Sequence, residues 1–203
     1  MAGAILERIS GERFDQYVKH HILDPLGLYG GYCVDSLDKT RFATLYEYNT
    51  DSAKFVASPA AYAPRSEEIA KYTLGYSTPV FSPTGGMKIT TQDLAKYMMM
   101  HMNYGESNGK KIIKKKSSKL MQSKIAEKDG YGLAIFTRDS LVVGEVLKGH
   151  TGSAYGLYST MFFSPQKKFG FVVITNGYHS STPGGLRVIV NCLYDSFIRK
   201  ESL

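Results

Sequence analysis

The segment with the greatest capacity for chemistry is His150-Thr151-Gly152-Ser153, which we expect at the end of an exposed β-strand. A glycine among small hydroxyl-bearing residues lets a ligand approach the backbone of a strand closely. The histidine can donate a hydrogen bond or exchange a proton near neutral pH. A lone histidine at a strand end is more often structural than functional, so this segment needs support from the rest of the chain.

Helical patterns dominate the part of the chain that precedes this segment. Residues 4–9 and 14–22 have apolar residues at helical spacing, whereas residues 28–82 are expected to be irregular chain with one or two small strands. Residues 117–125 form another predicted helix. Between them, Thr90 or Thr91 caps an amphipathic helix, whose inward-facing side chains are expected to be Leu94, Ala95, Met98, Met99 and Met102.

The last third of the chain changes to strand patterns. A final helix is predicted over residues 185–199, and it follows β-rich runs at 131–137, 141–147, 158–163 and 169–175. This order favours an α+β fold, with an antiparallel sheet of about three to four strands and helices packed on one face. We expect residues 1–203 to form one partial domain, mainly helical and loop-rich up to residue 130, with the strands and the last helix after it.

Composition and charge exclude several classes of protein. The hydrophobic content of 43% and the charged content of 21% are typical of a chain with a buried core. The net charge of +7 is concentrated in six lysines between residues 110 and 119, which we interpret as a solvated face and not as a nucleic-acid site, because no aromatic residues are interleaved with them. Cys33 and Cys192 lack metal-ligand spacing, so we predict two buried thiols, no metal and no cofactor.

Short motifs spread along the whole chain occur in a characteristic order. They are GAILERISGE from Gly3, ILDPLGL from Ile22, SPTGGM from Ser82, TQDLA from Thr91, YGLA from Tyr131, HTG from His150, SP from Ser164 and VVITN from Val172. Together this series resembles the C-terminal part of the family of class C β-lactamases, penicillin-binding proteins, D-alanyl-D-alanine carboxypeptidases and related esterases. The resemblance implies a partial β-lactamase/transpeptidase-like fold and a parent activity of acyl transfer on a β-lactam, a D-Ala peptide or an ester.

The resemblance also implies roles for five residues. His150-Thr151-Gly152 is similar to the third family motif, on the strand that borders the active site, where it would bind a substrate carboxylate or orient catalytic groups. The strand backbone near Ser153 or Ala154 would then offer an oxyanion-hole amide. Asn176 matches, more weakly, a position at which family members contact a substrate carboxylate. We therefore predict His150, Thr151, Gly152, Ser153 and Asn176 as substrate-binding residues.

The nucleophile that the family needs has no counterpart in this chain. Family members carry it in a serine-x-x-lysine motif at the start of a helix, with a tyrosine- or serine-x-asparagine motif as a second element. No triplet of the second kind occurs here, and the three matches to the first are Ser36/Lys39, Ser107/Lys110 and Ser164/Lys167. Each lies in a predicted turn or loop, so we assign no catalytic residue and expect this chain alone to be inactive.

Three interpretations remain open: a C-terminal fragment of a serine hydrolase, a non-catalytic module that binds a small molecule or peptide through the retained strand, and an assembly whose other half comes from elsewhere. The apolar strand 169–175 would be an unpaired edge, which predicts a homo-oligomer or pairing with a missing N-terminal half. The chain has no apolar run long enough to span a membrane. Full-length relatives are commonly exported, but the N-terminal residues 1–7 have no basic stretch followed by an apolar run and are not expected to be a signal peptide, so the compartment stays open.

Overall fold

The computed structural model describes residues 1–126, 130–179 and 185–199. The chain begins with α1 (Ala2–Ser10), which ends where Gly11 takes the left-handed conformation (φ 72°). Next comes α2 (Phe14–Val18), which continues through a π-helical turn at Lys19–Leu23 into the single turn α3 (Asp24–Leu26). The two helices predicted from apolar spacing are therefore confirmed, and the second continues past residue 22 to Leu26, where the left-handed Gly27 ends it.

Residues 28–82, predicted to be irregular chain with one or two small strands, contain three short strands and a short helix, and a fourth short strand follows. The strands are β1 (Gly30–Gly31), β2 (Tyr46–Asn49), β3 (Lys54–Ala57) and β4 (Lys88–Ile89), with the short helix α4 (Ser66–Ala70) between β3 and β4. Strands β2 and β3 form an antiparallel hairpin, and β1 pairs with β4 across the intervening chain. Single 3₁₀ turns cover Val34–Ser36, Lys39–Arg41, Pro59–Tyr62 and Thr78–Phe81.

The next helix, α5 (Thr91–Met102), begins at Thr90, whose hydroxyl oxygen accepts a hydrogen bond from the Asp93 amide at 3.1 Å. The predicted cap is thus confirmed, but the predicted inward stripe is partly wrong. Met99 is 43% exposed, whereas Met100 is completely buried. The reason is that α5 is covered on a second side by the following segment, where the Gln122 side chain donates to the His101 carbonyl oxygen.

The lysine-rich segment follows α5 and lies on the surface. It forms a small hairpin of β5 (Glu106–Ser107) and β6 (Lys110–Lys111), and then α6 (Lys115–Met121), which begins and ends earlier than the predicted helix 117–125. All six lysines between residues 110 and 119 are exposed. The interpretation of this run as a solvated face is therefore consistent with its exposure.

The main sheet has four antiparallel strands, β7 (Phe136–Arg138), β8 (Leu147–Ala154), β9 (Leu157–Ser164) and β10 (Phe169–Thr175), in the order β10-β9-β8-β7. Strand β10 has the predicted bounds. The predicted strands 131–137 and 141–147 are largely wrong, because the first has only isolated bridges at Tyr131 before β7 begins at Phe136, and the second is a loop up to residue 146. In that loop Val142 is fully buried in the core, and Gly144 takes a φ of 81° that interrupts an extended strand.

Helices cover both faces of this sheet, which corrects the expectation that they pack on one face. Successive strand residues point to opposite faces, so Phe162 and Phe163 enter different cores. Phe162 packs with Leu147, Phe171 and Val190 under the final helix α7 (Gly185–Phe197). Phe163 packs with Met98 and Met102 of α5.

Both cysteines are free, and their environments differ. Cys33 is buried, as predicted, but Cys192 is exposed, because α7 turns that side away from the sheet. None of the helices in the described part of the chain has the length and apolarity to cross a bilayer. Within the described ranges, no group of three or more histidine, cysteine or acidic side chains is arranged to hold a metal ion.

Candidate functional site

The candidate site is the edge of β8 that β7 leaves open. Strand β9 pairs with β8 from Lys148 to Ala154, whereas the short β7 pairs only with Leu147, Lys148 and Gly149. Within the described residues, the stretch 150–154 of β8 therefore has no strand partner on the β7 side. An unpaired strand edge offers backbone donors and acceptors to an extended ligand.

Four of the five predicted site residues lie on this open edge. Thr151 and Ser153 are exposed, and His150 and Gly152 are half-buried. His150 lies in the middle of β8 and not at its end, because the strand continues for four residues beyond it. The alternation of the strand places His150 and Gly152 on the face toward α5, and Thr151 and Ser153 on the face toward α7.

Two glycines of β8 permit close approach within the sheet. A Cβ atom at Gly149 would lie 1.9 Å from the Met161 carbonyl oxygen, and one at Gly152 would lie 2.8 Å from the Ser159 hydroxyl oxygen. Side chains at either position would push β8 and β9 apart. The glycine of the HTG segment is therefore required by packing as well as by access to the edge.

The His150 imidazole is held by contacts on both of its nitrogens. Its Nε2 lies 2.8 Å from the Tyr131 hydroxyl, and its Nδ1 contacts the carbonyl oxygen of Thr151. The Phe136 ring stacks on it, with 4.7 Å between centroids and an angle of 29° between the planes. Tyr131 was not among the predicted site residues, because the sequence places it in a strand 19 positions away and gives no sign of this contact.

A partly buried lysine adds positive charge to the same face of β8. Lys148 precedes His150 by two residues, about 7 Å along the strand, and its Nζ donates to the Thr137 hydroxyl at 2.7 Å. Burial, and then the like charge of Lys124, lower the pKa of Lys148. This cation suits a ligand that carries a carboxylate near the open edge.

Asn176 is not brought to the other four residues. It follows β10, two strands away from β8, which corresponds to about 10 Å across the sheet. Its side-chain amide donates to the Thr44 carbonyl oxygen at 3.1 Å, and its own carbonyl oxygen accepts from the Tyr46 amide at 2.8 Å. In this arrangement Asn176 fastens the β2 segment to the end of the sheet.

The β2–β3 hairpin forms an aromatic wall at the end of the open edge. It lies against the turn between β8 and β9, where a Cβ atom at Gly156 would be 1.9 Å from the Tyr46 carbonyl oxygen. Tyr46, Phe55 and Tyr155 are 36%, 49% and 43% exposed in this region. Sequence reasoning missed this surface, because the hairpin and the turn are about 100 residues apart.

The three serine-x-x-lysine matches do not form a nucleophile with its base. The Ser36 hydroxyl donates to the Cys33 carbonyl oxygen at 2.8 Å, and the Ser164 hydroxyl accepts from the Lys167 backbone amide at 3.2 Å. The Lys167 side chain turns away to Glu145, at 2.7 Å. Ser107 and Lys110 are paired strand residues of the exposed β5–β6 hairpin, and no hydrogen bond joins their side chains in this part of the structure.

Comparison with known proteins gives one family and a consistent set of folds. The sequence model of the family described as Beta-lactamase matches residues 1–190. The octameric penicillin-binding protein homologue from Pyrococcus abyssi is 26% identical, with a TM-score of 0.65 over 98% of this chain and 43% of that one. No curated protein matches the chain significantly.

Two further solved structures share the fold at lower identity. The penicillin-binding protein from Bacillus halodurans is 20% identical, with a TM-score of 0.67 over 96% of this chain and 52% of that one. The D-amino acid amidase from Ochrobactrum anthropi SV3, in complex with D-phenylalanine, is 16% identical, with a TM-score of 0.69 over 100% of this chain and 56% of that one. The chain thus spans about half the length of the solved structures that it matches.

Proposed function

The chain belongs to the beta-lactamase family, and we propose that it supplies the ligand-binding edge strand of a serine hydrolase while performing no acyl transfer by itself. The observation that carries this proposal is the open edge of β8 at 150–154, which has a histidine on one face and two hydroxyl side chains on the other, with Lys148 just before it on the histidine face. Such an edge holds an acylated peptide or an amide of extended shape, through backbone and hydroxyl hydrogen bonds.

The chemistry of the family defines what must be added to this edge. Acyl transfer needs a serine hydroxyl, a base that takes its proton, and donors that stabilise the oxyanion, all within one constellation. In the described residues the serine and lysine pairs that match the pattern are engaged elsewhere, since Ser36 bonds to the backbone and Lys167 to Glu145. We therefore propose that the nucleophile and its base lie outside this chain.

Hydrolysis assays test the catalytic half of the proposal. The purified chain is expected to hydrolyse nitrocefin and p-nitrophenyl acetate no faster than buffer, and a serine-directed fluorophosphonate is expected to label no single residue. Turnover that disappears when Ser36, Ser107 or Ser164 is replaced by alanine would contradict it.

Ligand titration tests the binding half. Adding N-acetyl-D-alanyl-D-alanine should shift the amide resonances of residues 150–154 more than those of the rest of the chain. The double variant Thr151→Val/Ser153→Ala should weaken binding, by roughly two- to twelvefold for each hydrogen bond lost. The control is Thr84→Val, at an exposed threonine without a side-chain hydrogen bond in the structure. Shifts spread evenly over the chain, or an unaffected double variant, would refute binding at this edge.

The free edge of β10 supports a further part of the proposal, that the chain assembles with another chain through Phe169–Thr175. This strand ends the sheet in the described part of the chain, and it is apolar and without a charged residue. The homologue from Pyrococcus abyssi is described as octameric. Light scattering at micromolar concentration should give a mass of two chains or more, and amide exchange of β10 should slow as concentration rises. A monomer with rapidly exchanging β10 amides would refute this assembly.

A further inference from the structure

Tyr131 lies on a backbone that is fixed from two sides. Its carbonyl oxygen accepts hydrogen bonds from the Ile125 and Ala126 amides at 2.7 and 3.0 Å, and the preceding carbonyl, of Gly130, accepts from the Thr137 amide at 2.8 Å. A Cβ atom on the following residue, Gly132, would lie 2.1 Å from the Met121 carbonyl oxygen. A small residue is therefore required next to Tyr131. The fixed backbone holds the Tyr131 phenol in one position.

The hydrogen-bond partners of His150 determine which ring nitrogen carries the proton. A carbonyl oxygen only accepts, so the Nδ1 that contacts the Thr151 carbonyl must be the donor. A neutral imidazole has a single N–H, so Nε2 is then the acceptor, and the Tyr131 hydroxyl at 2.8 Å donates to it. The partner of one nitrogen thus decides the state of the other.

The ring stack around His150 restricts the rotation of the imidazole. Phe136 stacks on the imidazole, and the Tyr131 ring lies against Phe136 with 3.6 Å between centroids. On Phe136 in turn lies the Arg138 guanidinium, 4.5 Å from the ring centroid. Aromatic and cation–π contacts of this kind add to the hydrogen bonds that hold the ring.

We propose that Tyr131 is a positioning residue of the β8 edge, whose hydroxyl donates to Nε2 and, together with the Thr151 carbonyl oxygen that accepts from Nδ1, holds the His150 imidazole in one orientation as the Nδ1–H tautomer. The positioning of His150 does not depend on the proposed function. Only its consequence, that a bound ligand meets a fixed imidazole, rests on the proposed function. Without the hydroxyl, Nε2 has no partner in the described structure, and the ring is restrained only by the Phe136 stack and the Nδ1 contact. The imidazole beside the edge then has no single fixed orientation for a ligand to meet, and ligand affinity falls.

The first test needs no variant and no ligand. In wild-type chain labelled with ¹⁵N-histidine, the His150 nitrogens should show a protonated Nδ1 and a bare, hydrogen-bonded Nε2 at pH values where the imidazole is neutral. An Nε2–H tautomer in the wild-type chain overturns the inference, even if ligand binds to the edge. The expected tautomer without any ligand binding supports the positioning role and refutes the proposed function instead.

The second test compares Tyr131→Phe with Tyr76→Phe, an exposed tyrosine in the segment 72–78 that serves as the control. In Tyr131→Phe the Nε2 resonance should move downfield, because it loses a donor, and affinity for N-acetyl-D-alanyl-D-alanine should fall roughly two- to twelvefold. In a His150→Gln background the same change should have little further effect, because Tyr131 acts through His150. An unchanged Nε2 resonance in Tyr131→Phe, or an equal loss of affinity in both backgrounds, overturns the inference.

Discussion

Replacing Glu7 by glutamine should destabilise the fold, although only one atom of the side chain changes. The Glu7 side chain is completely buried, and its Oε1 accepts hydrogen bonds from the Phe14 amide, at 2.8 Å, and from the Tyr72 hydroxyl. Its Oε2 accepts from the Gly75 amide at 2.7 Å and from the Thr78 hydroxyl at 2.5 Å. One carboxylate therefore joins α1 to α2 and to the segment 72–78.

The cost follows from the donors that surround this carboxylate. Glutamine has one oxygen, so its NH₂ group must face either the Phe14 amide or the Gly75 amide, neither of which can accept. A buried N–H without an acceptor costs about 1–3 kcal/mol, and each charge-assisted hydrogen bond that becomes neutral loses part of about 1.5–3 kcal/mol. We expect the free energy of unfolding to fall by roughly 3–5 kcal/mol, a large part of the about 5–15 kcal/mol typical of a domain.

The same site predicts a dependence on pH. Burial opposes the charge on Glu7, but the hydrogen bonds from Thr78 and Tyr72, with those from two backbone amides, lower its pKa below the ordinary value. Its contribution to stability is therefore fully present above the ordinary pKa of an unfolded glutamate. It is lost as the pH falls through the lower pKa of the folded state, so wild type and Glu7→Gln should converge in stability on acidification.

Urea denaturation followed by far-UV circular dichroism, at pH 7 and at several lower values, measures this difference. The matched control is Glu67→Gln in α4, which replaces an exposed carboxylate and should leave the midpoint nearly unchanged. A Glu7→Gln midpoint as close to wild type as that of the control would refute the reasoning. So would a difference between wild type and Glu7→Gln that stays constant down to the lowest pH.

Three further changes test the fold around the site. Thr90→Ala should lower the free energy of unfolding by about 1 kcal/mol, because the Thr90 hydroxyl caps α5 at 3.1 Å, whereas Thr91→Ala on the first turn should change it by much less; equal urea midpoints would contradict the cap. Gly149→Ala should broaden or shift the amide resonances of β8 and β9 and lower the melting temperature, since its Cβ would lie 1.9 Å from the Met161 carbonyl oxygen; a native-like spectrum would disprove the close approach. Burial lowers the pKa of His101 from 6.5 to about 4, so on acidification the unfolded chain is protonated before the folded one. About 3 kcal/mol of stability should therefore be lost between these two pKa values. The variant His101→Leu should not show this loss, and a variant that retains it would show that another group titrates.

Local features of the fold could be predicted from the sequence, because they depend on neighbouring residues. The apolar, β-branched strand Phe169–Thr175, the Thr90 cap of α5 and the glycine that ends α3 all follow from local residue preferences and turn chemistry. The order of the motifs from Gly3 to Val172 was also sufficient to identify the family, and the match of the family model over residues 1–190 confirms it. The segment His150-Thr151-Gly152-Ser153 was placed on a strand from the same kind of evidence.

What surrounds these elements could not be predicted in this way, because it depends on residues far apart in the chain. Which methionine of α5 is buried depends on the segment that covers its second side, and so Met99 and Met100 were misassigned. The open edge of β8 exists because β7 pairs with only three residues of β8. No local sequence pattern within β8 indicates how short its neighbour β7 is.

The contacts of the site residues are decided in the same way. Tyr131 reaches His150 across 19 positions, and Asn176 is bound to Thr44 across 132 positions. The types of the residues and their local conformation are therefore properties of the sequence by itself. Their partners, the tautomer that those partners impose and the access to the edge are decided only when the tertiary fold brings distant segments together.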